Sequence, residues 1–433
     1  MSGDAGAELL AQILAAPDDD APRMVYADYL IERGDPLGDF IRVQCRLAAE
    51  PDDARRRALR TAENKLLAAH GDAWRRPLAQ LWPDDARWEP PAFDFMRGFV
   101  TRAKITTELL PRLDELFARA PLLRELELHA VVVDVLGPRL AGAFDSPRLR
   151  QIRALDVSAL GGGDEAAHRI ADAPALAGLE RLRLRASWLG ELVDGVVPRD
   201  ALRTLFMGDA GAVALAASPH LRGVRHLALP DNRITSAGLH AIAHGAWRLE
   251  SLDIGNNVLG ARGDLAGALA GPALAGLRTL SLRRNALDPR VAALLAGGAL
   301  LPALADLDLE SCALGAAGSA AFCRALARPA LRRLRLERNS LGDAGAIAIA
   351  GCAALATLTE LEAGHNRIGQ GGGAALATSP HLAGLERLTL NEPRWKPEMA
   401  GVFAASPTLA RAKIYLKGRL LARAAPRKGR KPR

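Results

Sequence analysis

Four groups of residues have types and spacings that could do chemistry. Gly369-Gln-Gly-Gly-Gly-Ala374 lies between an expected strand and an expected helix. There a glycine loop can let backbone N–H groups wrap a dinucleotide's pyrophosphate. Such a unit also needs an acid about twenty residues on, for the ribose; the stretch there is Thr389-Leu-Asn391. His240 and His244 stand at i and i+4 on an expected helix, a spacing that can hold a metal ion. No third ligand is evident, and the pair reads as solvated surface. Asp18-Asp-Asp20 lacks the calcium-loop pattern and reads as a helix N-cap, at Asp20, with solvated neighbours. Cys45, Cys312, Cys323 and Cys352 form no Cys-x-x-Cys, and no motif pairs any of them with a histidine. Cys323 and Cys352 read as buried helix residues. No Gly-x-Ser-x-Gly elbow is present, so no catalytic residue, cofactor or metal site is expected and the chain reads as non-enzymatic.

The glycine run takes its meaning from a larger frame. Leu341-Gly-Asp-Ala-Gly345 occupies the same place one period of 27 residues earlier. The pattern Leu-x-x-Leu-x-Leu-x-x-Asn recurs as Val224/Leu227/Leu229/Asn232, Leu249/Leu252/Ile254/Asn257 and Leu277/Leu280/Leu282/Asn285. It returns as Leu304/Leu307/Leu309/Cys312, Leu331/Leu334/Leu336/Asn339 and Leu358/Leu361/Ala363/Asn366. Weaker copies start at Leu123, Ile152, Leu179, Leu202 and Leu385, with a degenerate last strand around 409–415, about twelve units in all. The Leu-x-Leu core has period 2 and sends its leucines to one face of a short strand. The asparagines (Asn232, Asn257, Asn285, Asn339, Asn366) sit where the chain leaves the strand. Their amides can satisfy backbone groups of neighbouring turns; Cys312 fits that slot but bonds less fully. An Ala-rich helix follows each turn. One strand and one helix cannot bury their apolar face alone, whereas stacked copies can.

On these residues the region 121–415 resembles the leucine-rich repeat superfamily, and its unit length and Leu-Gly-Asp-Ala-Gly turn are similar to the ribonuclease-inhibitor-like subtype. The resemblance implies an α/β solenoid, a horseshoe with an inner parallel sheet and outer helices, whose usual work is protein binding. A small helical domain is expected ahead of it, in three helices over 1–50. Met24, Val25, Tyr29 and Leu30 form the apolar stripe of the second helix, Gly34 its C-terminal cap, and Phe40, Ile41 and Leu47 the buried side of the third. The stretch Asp18 to Gln44 resembles the bacterial repeat-companion domain, which precedes repeat arrays; Tyr29 stands where that family often has Trp. Residues 51–120 read as an adaptor that caps the first repeat. It should hold one or two helices over 52–81 with a break at Gly71, then a strand or hairpin over 93–105.

Composition sets limits. The 433 residues are 49% hydrophobic and 24% charged with only 4% aromatic, so Leu and Ala must build a large core. The net charge of +8 is local. Ten Lys/Arg and no acid lie between Arg411 and Arg433, leaving 47 basic against 49 acidic residues elsewhere. An argument from pI for a nucleic-acid-binding body therefore fails. The segment 416–433 is expected to be a solvated, disordered tail, able to make weak contacts with nucleic acid or an anionic surface. No run is apolar and long enough to span a bilayer, and scattered cysteines without a secretory signal point to a reducing cytoplasm.

The strand face carries the remaining information. Its third positions read Asp306, Arg333, Glu360, Arg387 and its fifth positions Asp308, Arg335, Glu362, Thr389, Lys413, alternating in sign like charge ladders. Upstream, Arg181, Arg183, Arg185, Phe206 and His226 bring arginines beside an aromatic, the composition of a protein-binding hot spot. The expectation is a monomeric scaffold that binds an unidentified protein partner through the concave face. The alternative is a nucleic-acid-associated protein acting through its basic tail.

Overall fold

The chain opens with helices whose starts are set by aspartates. In the computed structural model, which describes residues 5–82, 91–129, 144–158, 163–185, 206–260, 264–297, 301–326 and 331–421, α1 is Ala5–Ala15, α2 Asp20–Ile31, α3 Pro36–Ala49 and α4 Asp53–Ala79. Asp19 caps α2, accepting from the Ala21 N–H at 2.9 Å. The cap thus falls one residue before the expected Asp20, which opens the helix and faces Arg97 at 3.1 Å. Asp35 caps α3 with Pro36 at its first turn. Gly34, at φ +70°, supplies the left-handed residue between the two helices. Ala27, Leu30, Ile41 and Cys45 form the core there, against Met24 and Tyr29. Val25 departs from the expected stripe and is 53% exposed, and Leu47 is only half-buried.

No break occurs at Gly71. α4 runs through it for 27 residues. An interior glycine costs about 1 kcal/mol relative to alanine, and packing outweighs that here. Trp74, one turn on, meets the ring of Phe40 at 4.8 Å and that of Phe95 at 6.2 Å.

Two units divide the chain, Met1–Gly161 with Ala173–Arg181, and Gly162–Asp172 with Leu182–Arg433. In the first, β1 (Ala92–Met96) and β2 (Phe99–Thr106) form an antiparallel hairpin. Its turn, Arg97-Gly98, has φ +51° and +87°, the two positive values that match strand twist in a two-residue hairpin. Gly98 has a second reason to be glycine, since a Cβ there would stand 2.1 Å from Ile41 Cγ1. Gln44 of α3 accepts from the Gly98 N–H at 2.6 Å and donates to Glu63 of α4 at 2.8 Å, joining helices and hairpin. β2 then pairs in parallel with β3 (Glu125–His129), and β3 with β4 (Ala154–Ser158).

The second unit is a leucine-rich-repeat solenoid. Its strands His226–Ala228, Ser251–Asp253, Thr279–Ser281, Asp306–Asp308, Arg333–Arg335, Glu360–Glu362, Arg387–Leu390 and Lys413–Leu416 pair in parallel and in register. The central residue of each three-residue strand is buried, so Leu227, Leu252, Leu280, Leu307, Leu334 and Leu361 stack in one column. Leu416-Lys417-Gly418-Arg419 then turns the chain back into an antiparallel strand, Arg419–Leu420, with φ +49° and +75° at the turn. The basic tail expected from 416 therefore starts later, because 416–421 belong to this hairpin; the remainder, and the unit expected at Leu202, lie outside the described residues.

Backbone bonding continues past the short strands. The residue just before each spine position is left-handed without being glycine: Asp231, Asn256, Arg284, Ser311, Arg338 and His365, with φ between +52° and +58°. Its N–H still donates to the next repeat, as Ser311 does to the Glu337 carbonyl at 2.8 Å. The asparagine that follows is buried and spends its amide on two turns at once, its own and the preceding one. Asn339 Nδ2 donates to the Leu309, Leu336 and Glu337 carbonyls at 2.7, 3.1 and 3.1 Å. Its Oδ1 accepts the Cys312 and Leu314 N–H groups at 2.9 and 3.2 Å. Asn232, Asn257, Asn285 and Asn366 also reach carbonyls both of their own turn and of the preceding one.

Cys312 interrupts this spine. Its thiol reaches the Leu282 carbonyl at 3.2 Å but offers no amide oxygen, and the Asn285 N–H turns to the Leu282 carbonyl of its own repeat. Burial pushes that thiol up to about 12. The spine ends on Glu392, 3% exposed, whose Oε1 accepts the Asn366 N–H at 2.6 Å.

On the helical side, aspartates link repeats. Asp164 accepts the N–H groups of Gly208 and Gly211 at 2.8 and 2.7 Å. Asp209 takes those of Thr235 and Gly238 at 2.8 and 3.0 Å, and Asp343 those of Gly369 and Gly372 at 2.6 and 2.9 Å. Each carboxylate thus caps the next repeat's helix N-terminus. The glycine there is needed for approach, since a Cβ on Gly238 would lie 2.4 Å from Asp209 Oδ1.

Two outcomes follow. Asp343→Ala strips the cap from the helix Gln370–Thr378 and should lower the unfolding free energy by about 1–2 kcal/mol in urea titration. Burial raises the Glu392 carboxyl above its ordinary range, against the lowering by the N–H groups it accepts. A raised folded-state value makes its stability contribution present at acid pH and lost as pH rises through that value. Glu392→Gln should therefore melt close to the parent near pH 4 and above it near pH 8.

Candidate functional site

Alternate residues along each strand leave the sheet on the side away from the leucines. In the second unit the third-position column runs His226, Ser251, Thr279, Asp306, Arg333, Glu360, Arg387, Lys413. The fifth runs Ala228, Asp253, Ser281, Asp308, Arg335, Glu362, Thr389, Tyr415. Lys413 thus stands beside Arg387, one column from its expected fifth place, because the last unit is one residue shorter than its neighbours. Sign alternation stops there, and the Arg387 guanidinium lies 5.4 Å from the centre of the Tyr415 ring.

Within the columns, opposite charges meet at the sheet's inter-strand spacing. Arg333 bonds Asp306 at 2.8 Å and Arg335 faces Glu362 at 3.4 Å. A cluster of acids lies alongside, at Asp308, Glu310, Glu337 and Glu362. Burial raises the Asp308 carboxyl. Burial also raises Glu337, with Glu362 and Glu310 adding to it. In the first unit, Glu127 bonds Arg102 at 2.5 Å and His129 at 2.6 Å. Burial pushes its carboxyl up, but those two bonds leave it below the ordinary value.

The five residues singled out upstream are placed as follows. Arg181, Arg183 and Arg185 alternate along the strand Arg181–Arg185, with both end arginines exposed and Arg183 half-buried. Arg181 belongs to the first unit, where its guanidinium pairs with Glu125, reaching across the short Ala154 between their strands. Arg185 donates from Nε to Asp231 at 2.7 Å. Phe206 is half-buried with the Arg233 guanidinium 4.9 Å from its ring centre. His226 is exposed. The second unit therefore assembles Arg185, Asp231 and Asn256 in one network, with Asn256 Nδ2 on Asp231 at 2.7 Å. Asp231 and Arg233 escaped the sequence reading. Their signal was their place on either side of the spine residue Asn232.

The other chemical candidates resolve locally. Gly369 and Gly372 point their N–H groups at Asp343, so the glycine run's anion-binding positions are filled from within the chain. His240 and His244 are exposed, their rings 4.1 Å apart, and His244 Nδ1 bonds the His240 carbonyl. Among the described residues no group of three His, Cys, Asp or Glu is placed to hold a metal ion. The described cysteines are all free; Cys323 is helical as expected but only half-buried, and Cys352 is buried as expected but lies just beyond its helix. No helix of the described residues is long and apolar enough to cross a membrane.

Comparison with known proteins adds a family model described as Leucine Rich repeat, which matches residues 329–350. That stretch holds the Leu331/Leu334/Leu336/Asn339 pattern and the whole of the helix after it, Gly342–Ala350. No curated protein matches the chain. A solved structure titled "Crystal structure of TLR13-ssRNA13 complex" aligns at 16% identity and a TM-score of 0.38, covering 68% of this chain and 42% of that one.

Asp231 joins two roles, a left-handed backbone and an ion pair. Asp231→Ala should cost about 1–2 kcal/mol, since alanine is poorly suited to that backbone. Asp231→Gly should recover part of the loss, and Arg185→Ala, which removes a half-exposed guanidinium but leaves Asp231 bonded to Asn256, should cost less than Asp231→Ala. Urea unfolding of the three variants measures the order.

Proposed function

We propose that this chain is a non-enzymatic scaffold that docks a protein partner on its strand face. One observation carries the reading. The repeats meet their own backbone needs through the asparagine spine and aspartate caps, which leaves the other strand face to columns of mostly polar and charged side chains. The docking surface centres on Arg183, Arg185, Phe206 and His226, with Arg181 on the same strand. Guanidinium groups beside an aromatic give binding energy when water is excluded around them. Here Arg185 and Arg181 must exchange or share their carboxylates on docking, so the partner is expected to present acids of its own.

The same reading takes 1–50 as a helical companion module, 51–120 as an adaptor, and 121–415 as an array of about twelve units of the ribonuclease-inhibitor-like subtype. It places a monomer in a bacterial cytoplasm. The lack of a membrane-crossing helix among the described residues is consistent with that compartment.

A second reading rests on charge alone. The ten Lys/Arg between Arg411 and Arg433 would attract nucleic acid through phosphate contacts that weaken steeply with salt.

One experiment separates the two. Nuclease-treated lysate is passed over the full chain, a 1–421 truncation that keeps the terminal hairpin, and a Phe206→Ala/Arg183→Glu variant, at low and high salt. The scaffold reading expects one defined protein, retained at high salt and by the truncation, and lost in the double variant with its melting temperature unchanged. Capture that vanishes with the tail or with salt would transfer the function to the tail.

A further inference from the structure

A cleft of about 420 Å³ opens in the first unit, between the α1–α2 turn, the tip of the β1–β2 hairpin and the first parallel strands. Five arginines and three carboxylates line it. Each carboxylate is committed to one arginine: Asp18 to Arg124 at 2.9 Å, Glu180 to Arg153 at 3.8 Å, and Glu125 to Arg181. Two positive charges are left over. Arg97, on the left-handed hairpin tip, leans on Asp20 outside the cleft lining.

Arg23 is the unusual group. It is 2% exposed. Its two terminal nitrogens donate to the Asp19 and Pro17 carbonyls at 2.8 and 2.7 Å, and its Nε has no hydrogen-bond partner. Burial pulls its pKa down, and Arg97 acts in the same direction against the nearby acids. A buried cation whose hydrogen bonds go only to neutral carbonyls is costly, and that cost falls further when another anion comes close.

We propose that this cleft is a binding site for a phosphate monoester. The volume fits a small group. Arg124, Arg153 and Arg181 keep their side chains 33%, 39% and 48% exposed, so their planar forks are available at the rim. Arg23 and Arg97 supply positive charge behind them. A dianion with three oxygens can bridge several guanidinium groups, which the wall's own carboxylates, each taken by one arginine, do not do. Thr101 adds a hydroxyl, and Pro17, Met96 and Leu122 an apolar wall for the esterified group. The site shares only Arg181 with the partner surface proposed above, and it is read by phosphate binding rather than by protein capture.

The test is titration calorimetry of the full chain with inorganic phosphate, AMP, a phosphoserine peptide and the same peptide unphosphorylated. AMP or the phosphopeptide should bind saturably and raise the melting temperature. Arg153→Gln/Arg181→Gln should weaken that binding at least about tenfold. Binding by AMP and inorganic phosphate would assign a small phosphate ester; binding by the phosphopeptide alone would assign a phosphate carried on a protein. Should the double variant melt early, Arg181→Lys keeps the charge, removes the fork and must still weaken binding. The proposal is overturned if no phosphate compound binds at millimolar concentration, if the unphosphorylated peptide binds equally, or if folded variants bind like the parent.

Discussion

A buried turn must satisfy its own backbone, and the repeats depend on how that is done. The repeats from His226 to Glu362 each give only three residues to a regular strand before the chain bends away toward a helix. At the bend, N–H and C=O groups enter the interior without a ladder to join. An orphaned buried group costs roughly 1–3 kcal/mol, and an array would incur that at every repeat. One asparagine per turn removes most of the deficit, because its amide donates twice and accepts at least once. The left-handed residue before it lets the chain bend while its own N–H stays in the inter-repeat ladder. The leucine column then stacks on a frame already fixed in register, and every outward side chain inherits its place from that register.

The helical layer obeys a related constraint. A helix N-terminus leaves N–H groups unpaired, and a repeat helix presents them toward its predecessor. Asp164, Asp209 and Asp343 meet those groups from the preceding repeat. The requirement for a small residue opposite them explains Gly211, Gly238 and Gly372 better than turn flexibility does. Strand-side amides and helix-side carboxylates thus tie the same neighbours together at two places, one in the deep interior and one near the surface. Glu392 is the exception that closes the chain of amides, performing an asparagine's accepting role with a carboxylate that is costly to bury.

Much of this frame is legible in the sequence. Leucines at period 2 inside a period of 27 leave little choice of architecture, and a buried polar residue recurring at one slot must bond its neighbours. What stays hidden depends on geometry between repeats. Asp343 looks like part of its own turn, and its acceptor role appears only once the next helix lies beside it. Glu392 stands one position off the asparagine frame, so periodicity overlooks it. Lys413 shifts column because a one-residue deletion changes register. Gly71 misleads because local propensity is weaker than the packing of Trp74, Phe40 and Phe95. In the candidate site, residue types were legible but pairings were not. Arg181 reaches Glu125 only because Ala154 is short, and Arg233 covers Phe206 from a position no strand pattern marks.

The two reversed hairpins bear on assembly. A stack of identical units ending on a bare parallel strand would offer a second molecule the same hydrogen-bonding face its own next repeat would have used. Such a contact is heterologous and does not close, so it propagates into filaments. Arg97-Gly98 and Lys417-Gly418 turn the terminal strands of their respective units to the opposite polarity. A following copy in the parallel sense then meets donors and acceptors out of phase. Two dipeptides with positive φ thereby leave the edge strand of each unit antiparallel to its repeats, a polarity that the parallel stacking of a further copy does not continue.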